Sequence, residues 1–243
     1  LHHAAELSDI DVSGIRDGWI NRVQTKLGPR KVEVLRELLH HPMPDLLGLV
    51  GKEHDENAHS DVMRWLLDPA EARTVAGPAL LRLASFLDES DRWCALFEEA
   101  IAANCLSVRR EFTIGREWTN ETSLERIDLV VSGPGFLLVI ENKLWSPEHE
   151  NQTEGYWRWL ERQSLLRAGI FLSPAGINAG CSSFKSISYM DLLSCLLERR
   201  SVGPITLGEK AILSGYVKTL ANHVLRAELR AINESEASSE HAQ

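Results

Sequence analysis

Apolar positions recur at helical spacing through the first hundred residues, and the period then shortens to the alternation and short runs typical of strands. Residues 32–40 are helical by spacing, and Pro42 and Pro44 close that element. A second helix is expected over residues 56–67, with Asp55 as N-cap and Pro69 restricting Asp68. Pro78 is placed to open a third helix carrying Leu80, Leu81, Leu83, Ala84 and Leu87, and a fourth covers residues 93–103.

From there, residues 106–114, 126–131 and 136–144 read as three strands, with a hairpin signal at Ser132-Gly133-Pro134-Gly135. Ser146-Pro147 offers an N-cap and a first helical residue for a long helix reaching about Gln163. A short apolar strand over 169–172 and helices over 189–199 and 207–226 complete the pattern. The central order of helix, three strands, helix, strand belongs to an α+β or α/β class.

Length and charge narrow the function. A chain of 243 residues, 44% hydrophobic, is long enough to bury a full core, and one domain is expected over residues 1–232, followed by a disordered tail over 233–243. A formal net charge of -9 argues against coating nucleic acid by bulk electrostatics, so any such contact must be local. The four cysteines, Cys94, Cys105, Cys181 and Cys195, show no C-x-x-C pair and read as buried thiols of a reducing compartment. No apolar run is long enough for a bilayer and the start lacks a signal core, so a soluble, cytoplasmic protein with no membrane partner is expected.

The chemistry gathers where the third strand ends, because alternation puts Glu141 and Lys143 on one face. A hairpin loop of two residues (Gly133, Pro134) or of four (132–135) pairs Val131 with Phe136 and sets Asp128 opposite Val139. Asp128 is then a same-face diagonal neighbour of Glu141, unless a bulge intervenes. Two carboxylates and an ammonium at the end of a buried sheet need compensation, which a divalent cation would supply. The competing reading is a plain strand-end salt bridge.

Glu56 starts on the core side of its helix, since positions 56, 60, 63 and 67 form one stripe, although a helix-start glutamate is also favoured by the macrodipole. His54 and His59 are five apart, not the four of a zinc peptidase helix. Gln152 and Tyr156 lie one turn apart, while Trp145, Trp157 and Trp159 suit either base stacking or core packing. Arg109, Arg110, Arg116 and Arg126 cluster on or beside the first two strands as a candidate phosphate-facing edge.

Ile127-Asp128, twelve intervening positions, Glu141-Asn142-Lys143 and then Gln152-Thr-Glu-Gly-Tyr156 together resemble the signature of the PD-(D/E)xK nuclease superfamily. The Gln-x-x-x-Tyr element is similar to that of the RecB-like branch. Asp55-Glu56-Asn57-Ala58-His59-Ser60 and Trp65-Leu66-Leu67-Asp68-Pro69 resemble the opening of a bacterial family in the superfamily. The likeness runs from about residue 50 to 200, and Ile127 stands where the family name has proline.

The resemblance implies a restriction-endonuclease-like αβββαβ core of the α/β class, a mixed sheet flanked by helices, with an additional N-terminal helical portion. It further implies that Asp128, Glu141 and the Asn142 carbonyl bind Mg2+ (or Mn2+), that Glu56 completes the acidic site, and that Lys143 orients or activates water. Gln152 and Tyr156 would support the substrate or the lysine. The expected activity is DNA phosphodiester hydrolysis by an endonuclease serving defence against foreign DNA or repair, with a homodimer or partner proteins compatible. The rival reading is a non-catalytic nucleic-acid-binding or assembly protein that kept the fold.

Overall fold

Helices come first because the amphipathic stripes of the N-terminal part need a sheet to cover. The computed structural model describes residues 26–114, 125–149, 151–198 and 204–225. Helices α1 (Pro29–His40), α2 (Glu56–Leu67), α3 (Arg73–Ala84) and α4 (Ser90–Ala102) precede strands β1 (Ser107–Ile114), β2 (Glu125–Gly133) and β3 (Phe136–Asn142). Then follow α5 (Gln152–Glu161), β4 (Leu166–Ser173), β5 (Phe184–Ser188), α6 (Tyr189–Leu196) and α7 (Leu207–Thr219), which runs into a π-helical turn, Leu220–Val224. The strands form one mixed sheet in the order β1-β2-β3-β4-β5. The first two pairings are antiparallel and the last two parallel, as a helical crossover between β3 and β4 requires.

Both faces of the sheet are covered. One buries Leu129, Val131, Leu138 and Ile140 against side chains of α1–α4, α6 and α7, and the other buries Val130, Val139 and Phe171 against Tyr156, Trp159 and Leu160 of α5. The restriction-endonuclease-like α/β fold expected from the sequence is therefore present. Among the described residues no helix is long and apolar enough to cross a membrane. The four cysteines form no disulfide; Cys181 and Cys195 are buried, Cys94 is half-buried and Cys105 is exposed, which corrects the reading of all four as buried. The tail from residue 233 lies outside the described residues.

Several boundaries differ for identifiable reasons. Helix α3 begins at Arg73, five residues before Pro78, because Glu209 accepts hydrogen bonds from the Thr74 N–H (2.7 Å) and hydroxyl (2.8 Å) and so caps its first turn from far along the chain. Helix α5 begins at Gln152, not at Ser146-Pro147. The Ser146 N–H and hydroxyl are spent on Glu56, and Glu148 accepts from the Thr153 N–H at 2.9 Å to cap the helix instead. Strand β5 is short and half polar, and no strand is expected there from the apolar pattern.

The hairpin turn is Pro134-Gly135, with Gly135 at φ 84°, so Gly133 faces Phe136 and Val131 faces Leu138. This moves the register by two positions from the expected Val131–Phe136 pairing, and its continuation sets Asp128 opposite Glu141 instead of Val139. The regular pleat also breaks there. Ile127 and Val130, three apart, belong to one core cluster while Leu129 and Val131 belong to the other. Across from Asp128, in the gap between the Arg110–Leu129 and Phe112–Ile127 pairs, Glu111 holds φ 48°, a strained value for a residue with a side chain. Alternation alone therefore does not set the direction of Asp128.

Candidate active site

Strand β3 is buried on both faces, so charges at its end are stripped of water. Glu141 is 1% exposed and Lys143 7% exposed. The Lys143 N–H donates to the Leu172 carbonyl at 2.8 Å, continuing the parallel ladder to β4 and fixing the lysine backbone. Its Nζ stands 2.8 Å from Glu141 Oε1. The Lys143 ammonium is thus the group that faces the buried Glu141 carboxyl. Burial first, and then the Asp128 charge, push the Glu141 carboxyl up to about 8 against the attraction of Lys143. Burial also raises Asp128, although the Asn142 N–H and Lys143 oppose it. For Lys143, burial lowers the ammonium, but the Glu141 and Asp128 charges more than reverse that.

Asn142 ties three elements together between these charges. Its backbone N–H donates to Asp128 Oδ2 at 2.9 Å, which binds the carboxylate of β2 to the end of β3. Its side-chain Nδ2 donates to the Glu56 carbonyl (3.2 Å) and the Ser60 hydroxyl (3.0 Å) on α2, and its Oδ1 accepts from the Tyr189 hydroxyl of α6 at 2.6 Å. Beside this cluster, His59 bonds the Glu53 carbonyl through Nε2 and the Tyr216 hydroxyl through Nδ1. Since a carbonyl only accepts, Nε2 carries the proton. Burial lowers the His59 pKa, which keeps the ring neutral.

Glu56 has a distinct task. Its Oε1 accepts from the N–H groups of Leu144 (2.8 Å), Trp145 (3.2 Å) and Ser146 (3.2 Å) and from the Ser146 hydroxyl (2.8 Å). Burial would raise this carboxyl, but those bonds outweigh burial and hold it below the usual range. Glu56 thus fastens the loop that follows Lys143 while adding negative charge felt by Asp128 and Glu141. Among the described residues the three carboxylates do not all come within 4.8 Å of one another. The structure brings together Asp128, Glu141 and Lys143, and leaves Glu56 committed to the loop.

Gln152 and Tyr156 meet, the amide donating to the phenol oxygen at 2.8 Å, and Tyr156 in turn donates to the Arg126 carbonyl at 2.8 Å. They hold β2 two residues before Asp128. Of the arginines, Arg110 is held by Asp61 (2.5 Å) and Asn57 (3.0 Å), which joins β1 to α2 and leaves it little exposed. Arg109 lies over the Phe112 ring at 4.7 Å, Arg126 is 63% exposed beside Glu111, and Arg116 falls outside the described residues. Trp159 is core, Trp157 is half-buried beside Phe184, and Trp145 is 49% exposed.

The donor set fits a hard divalent cation. A buried carboxyl group facing a second carboxylate, with one ammonium beside the pair, is costly as it stands and is further compensated by positive charge bound to oxygen. Sequence reasoning missed Asn142 as a side-chain clamp and Tyr189 as its partner; a polar residue inside an otherwise apolar strand end was the one available signal. Comparison with curated proteins and with solved structures gives no significant match. A family model described as PD-(D/E)XK nuclease superfamily matches residues 44–211, the span that holds Glu56, Asp128, Glu141, Lys143 and the sheet that positions them. On that match over most of its length, and on the mixed sheet that delivers an acid-acid-lysine set to one strand end, the chain belongs to the PD-(D/E)XK nuclease superfamily.

Proposed function

We propose that this protein is a deoxyribonuclease that hydrolyses phosphodiester bonds internally, with Mg2+ or Mn2+ as cofactor. The observation that carries the reading is the buried Glu141 carboxyl group, flanked by Asp128 and by the Lys143 ammonium and raised in pKa by burial. Asp128, Glu141 and the Asn142 carbonyl would hold the cation, which when bound polarises a phosphoryl oxygen and lowers the pKa of water.

The chain's own residues do the rest. Asn142 fixes the Asp128 carboxylate through its N–H, so the ligand geometry is set before substrate arrives. Lys143, anchored by the β4 ladder and by the Glu56-fastened loop, points a permanent cation at the place where negative charge develops on the phosphate. Gln152 and Tyr156 hold β2, and therefore Asp128, in register. Arg109 and Arg126 offer phosphate contacts at the β1–β2 edge in a chain of net charge -9, which favours local over bulk attraction.

A supercoiled plasmid incubated with the purified protein tests this. Nicked and linear products with Mg2+ or Mn2+, absent with EDTA and absent for Glu141→Gln, are the expected result. Intact plasmid under every metal condition, with DNA binding retained, would favour a non-catalytic nucleic-acid-binding protein. Defence against foreign DNA and repair both fit an internal cut.

A further inference from the structure

We infer that Glu53, His54 and His223 form a second metal site, for a zinc-class transition-metal cation, that cross-links the loop before α2 to the π-helical turn after α7. One ligand atom from each residue lies within 4.8 Å of the others. Atoms bound to one zinc ion stand about 3.3 Å apart, as metal–nitrogen bonds of about 2.0–2.1 Å in a tetrahedron require. The adjustment is small for His54, which is exposed on a loop.

Three further observations point to a ligand at this place. Glu53 Oε2 is buried and receives no hydrogen bond, a costly state that a cation relieves. His223 is already oriented as metal-bound histidines are, because its Nε2 lies 2.8 Å from Asp45 Oδ2, which leaves Nδ1 for a metal. Asp45 is itself held by the Thr219 hydroxyl (2.6 Å), the Gly48 N–H (2.9 Å) and Asn222 Nδ2 (3.1 Å), so the orienting carboxylate is rigid. Finally, His223 lies in the π-helical turn Leu220–Val224, a departure from α geometry that often marks functional positions.

Two imidazoles and one carboxylate select a borderline metal such as Zn2+ over Mg2+, which prefers oxygen throughout. Three protein ligands leave a position for water or another group. The site adjoins the candidate active site without sharing a ligand with it: His54 meets the edge of Trp145 at 5.6 Å, and the Trp145 N–H donates to Glu56. The Glu53 carbonyl also accepts from His59 at 3.0 Å, so the loop bearing two of the ligands is anchored from below. Bound metal would brace the start of α2, and with it Glu56. The inference does not depend on nuclease activity.

Titration of metal-stripped full-length protein with Co2+, followed by its visible ligand-field bands, tests the proposal, with Zn2+-dependent change in Tm as a second readout. The parent and Glu141→Gln should show the bands, saturating at one equivalent, and a Tm that rises with Zn2+. His54→Ala and His223→Ala should each bind at least about tenfold more weakly and lose the Tm rise. His54 is exposed, so its variant keeps the fold, as far-ultraviolet circular dichroism would verify. Bands unchanged in both histidine variants, bands lost in Glu141→Gln but kept in His54→Ala, or no bands in the parent would each overturn it.

Discussion

Tyr156 of α5 donates its hydroxyl to the carbonyl of Arg126, 2.8 Å away and two residues before Asp128 on β2. The ring is fully buried, so the bond joins the helix on one face of the sheet to the strand carrying the first carboxylate. Tyr156→Phe keeps the ring and removes the bond. The expected cost is about 0.5–1.5 kcal/mol in urea unfolding, with weaker metal binding and a lower cleavage rate as Asp128 loosens. A variant as stable and as active as the parent would show that Tyr156 contributes packing alone.

Asn142→Ala should be more damaging. It strands the buried Tyr189 hydroxyl and removes both bonds to α2, and one unsatisfied buried group costs about 1–3 kcal/mol. Denaturant midpoints compared with Tyr189→Phe and the double variant measure the coupling. Strict additivity would contradict a shared network.

The raised Glu141 carboxyl predicts a pH dependence with a definite sign. In the metal-free folded protein it keeps its proton up to about pH 8, whereas an unperturbed glutamate loses it near 4.5. The unfolded chain therefore binds fewer protons in this window, and stability is full below about 4.5 and is lost as pH rises through about 8. Thermal scans should show a falling Tm over that range, flattened in Glu141→Gln and by saturating Mg2+. A Tm that rises over the window in metal-free protein would contradict the burial argument.

The arginines should divide by role. Arg109→Ala and Arg126→Ala should each reduce the slope of log affinity for duplex DNA against log salt by about 1. Arg110→Ala, which breaks the tie to Asp61 and Asn57, should leave that slope alone and cost about 0.5–1 kcal/mol of stability. Fluorescence anisotropy at several salt concentrations beside urea unfolding separates the two.

Much of this was legible in the sequence where the signal was local. The apolar run of β3 ending in Glu141 and Lys143, the helix beginning after Asp55, and the Gly-Pro-Gly turn each state their structure within a few residues. What escaped was set by side-chain caps outside the apolar pattern and by backbone conformation. Glu209 decides where α3 starts, Glu148 where α5 starts, and Gly135 at φ 84° which two residues make the turn. Parity survived the register error because a shift of two keeps every side chain on its face, but the broken pleat at Glu111 and Asp128 had no sequence mark. The sequence makes Glu56 an acidic partner of the site, whereas its commitment to the Leu144, Trp145 and Ser146 N–H groups emerges only once the loop is folded. Likewise His223 is far from His54 in the chain, so no spacing rule pairs them.

In the proposed reaction, carboxylates hold the metal while Lys143 acts on the reacting phosphate. Mg2+ titration calorimetry run beside plasmid cleavage on the same folded preparations of Asp128→Asn, Glu141→Gln and Lys143→Ala separates these two roles. The two carboxylate variants should lose metal binding and cleavage together. Lys143→Ala should bind Mg2+ at least as tightly as the parent, since a cation 2.8 Å from Glu141 is gone, yet lose turnover by a factor on the order of 10² to 10³. Parental cleavage by Lys143→Ala, or normal metal binding and cutting by Asp128→Asn, would contradict it.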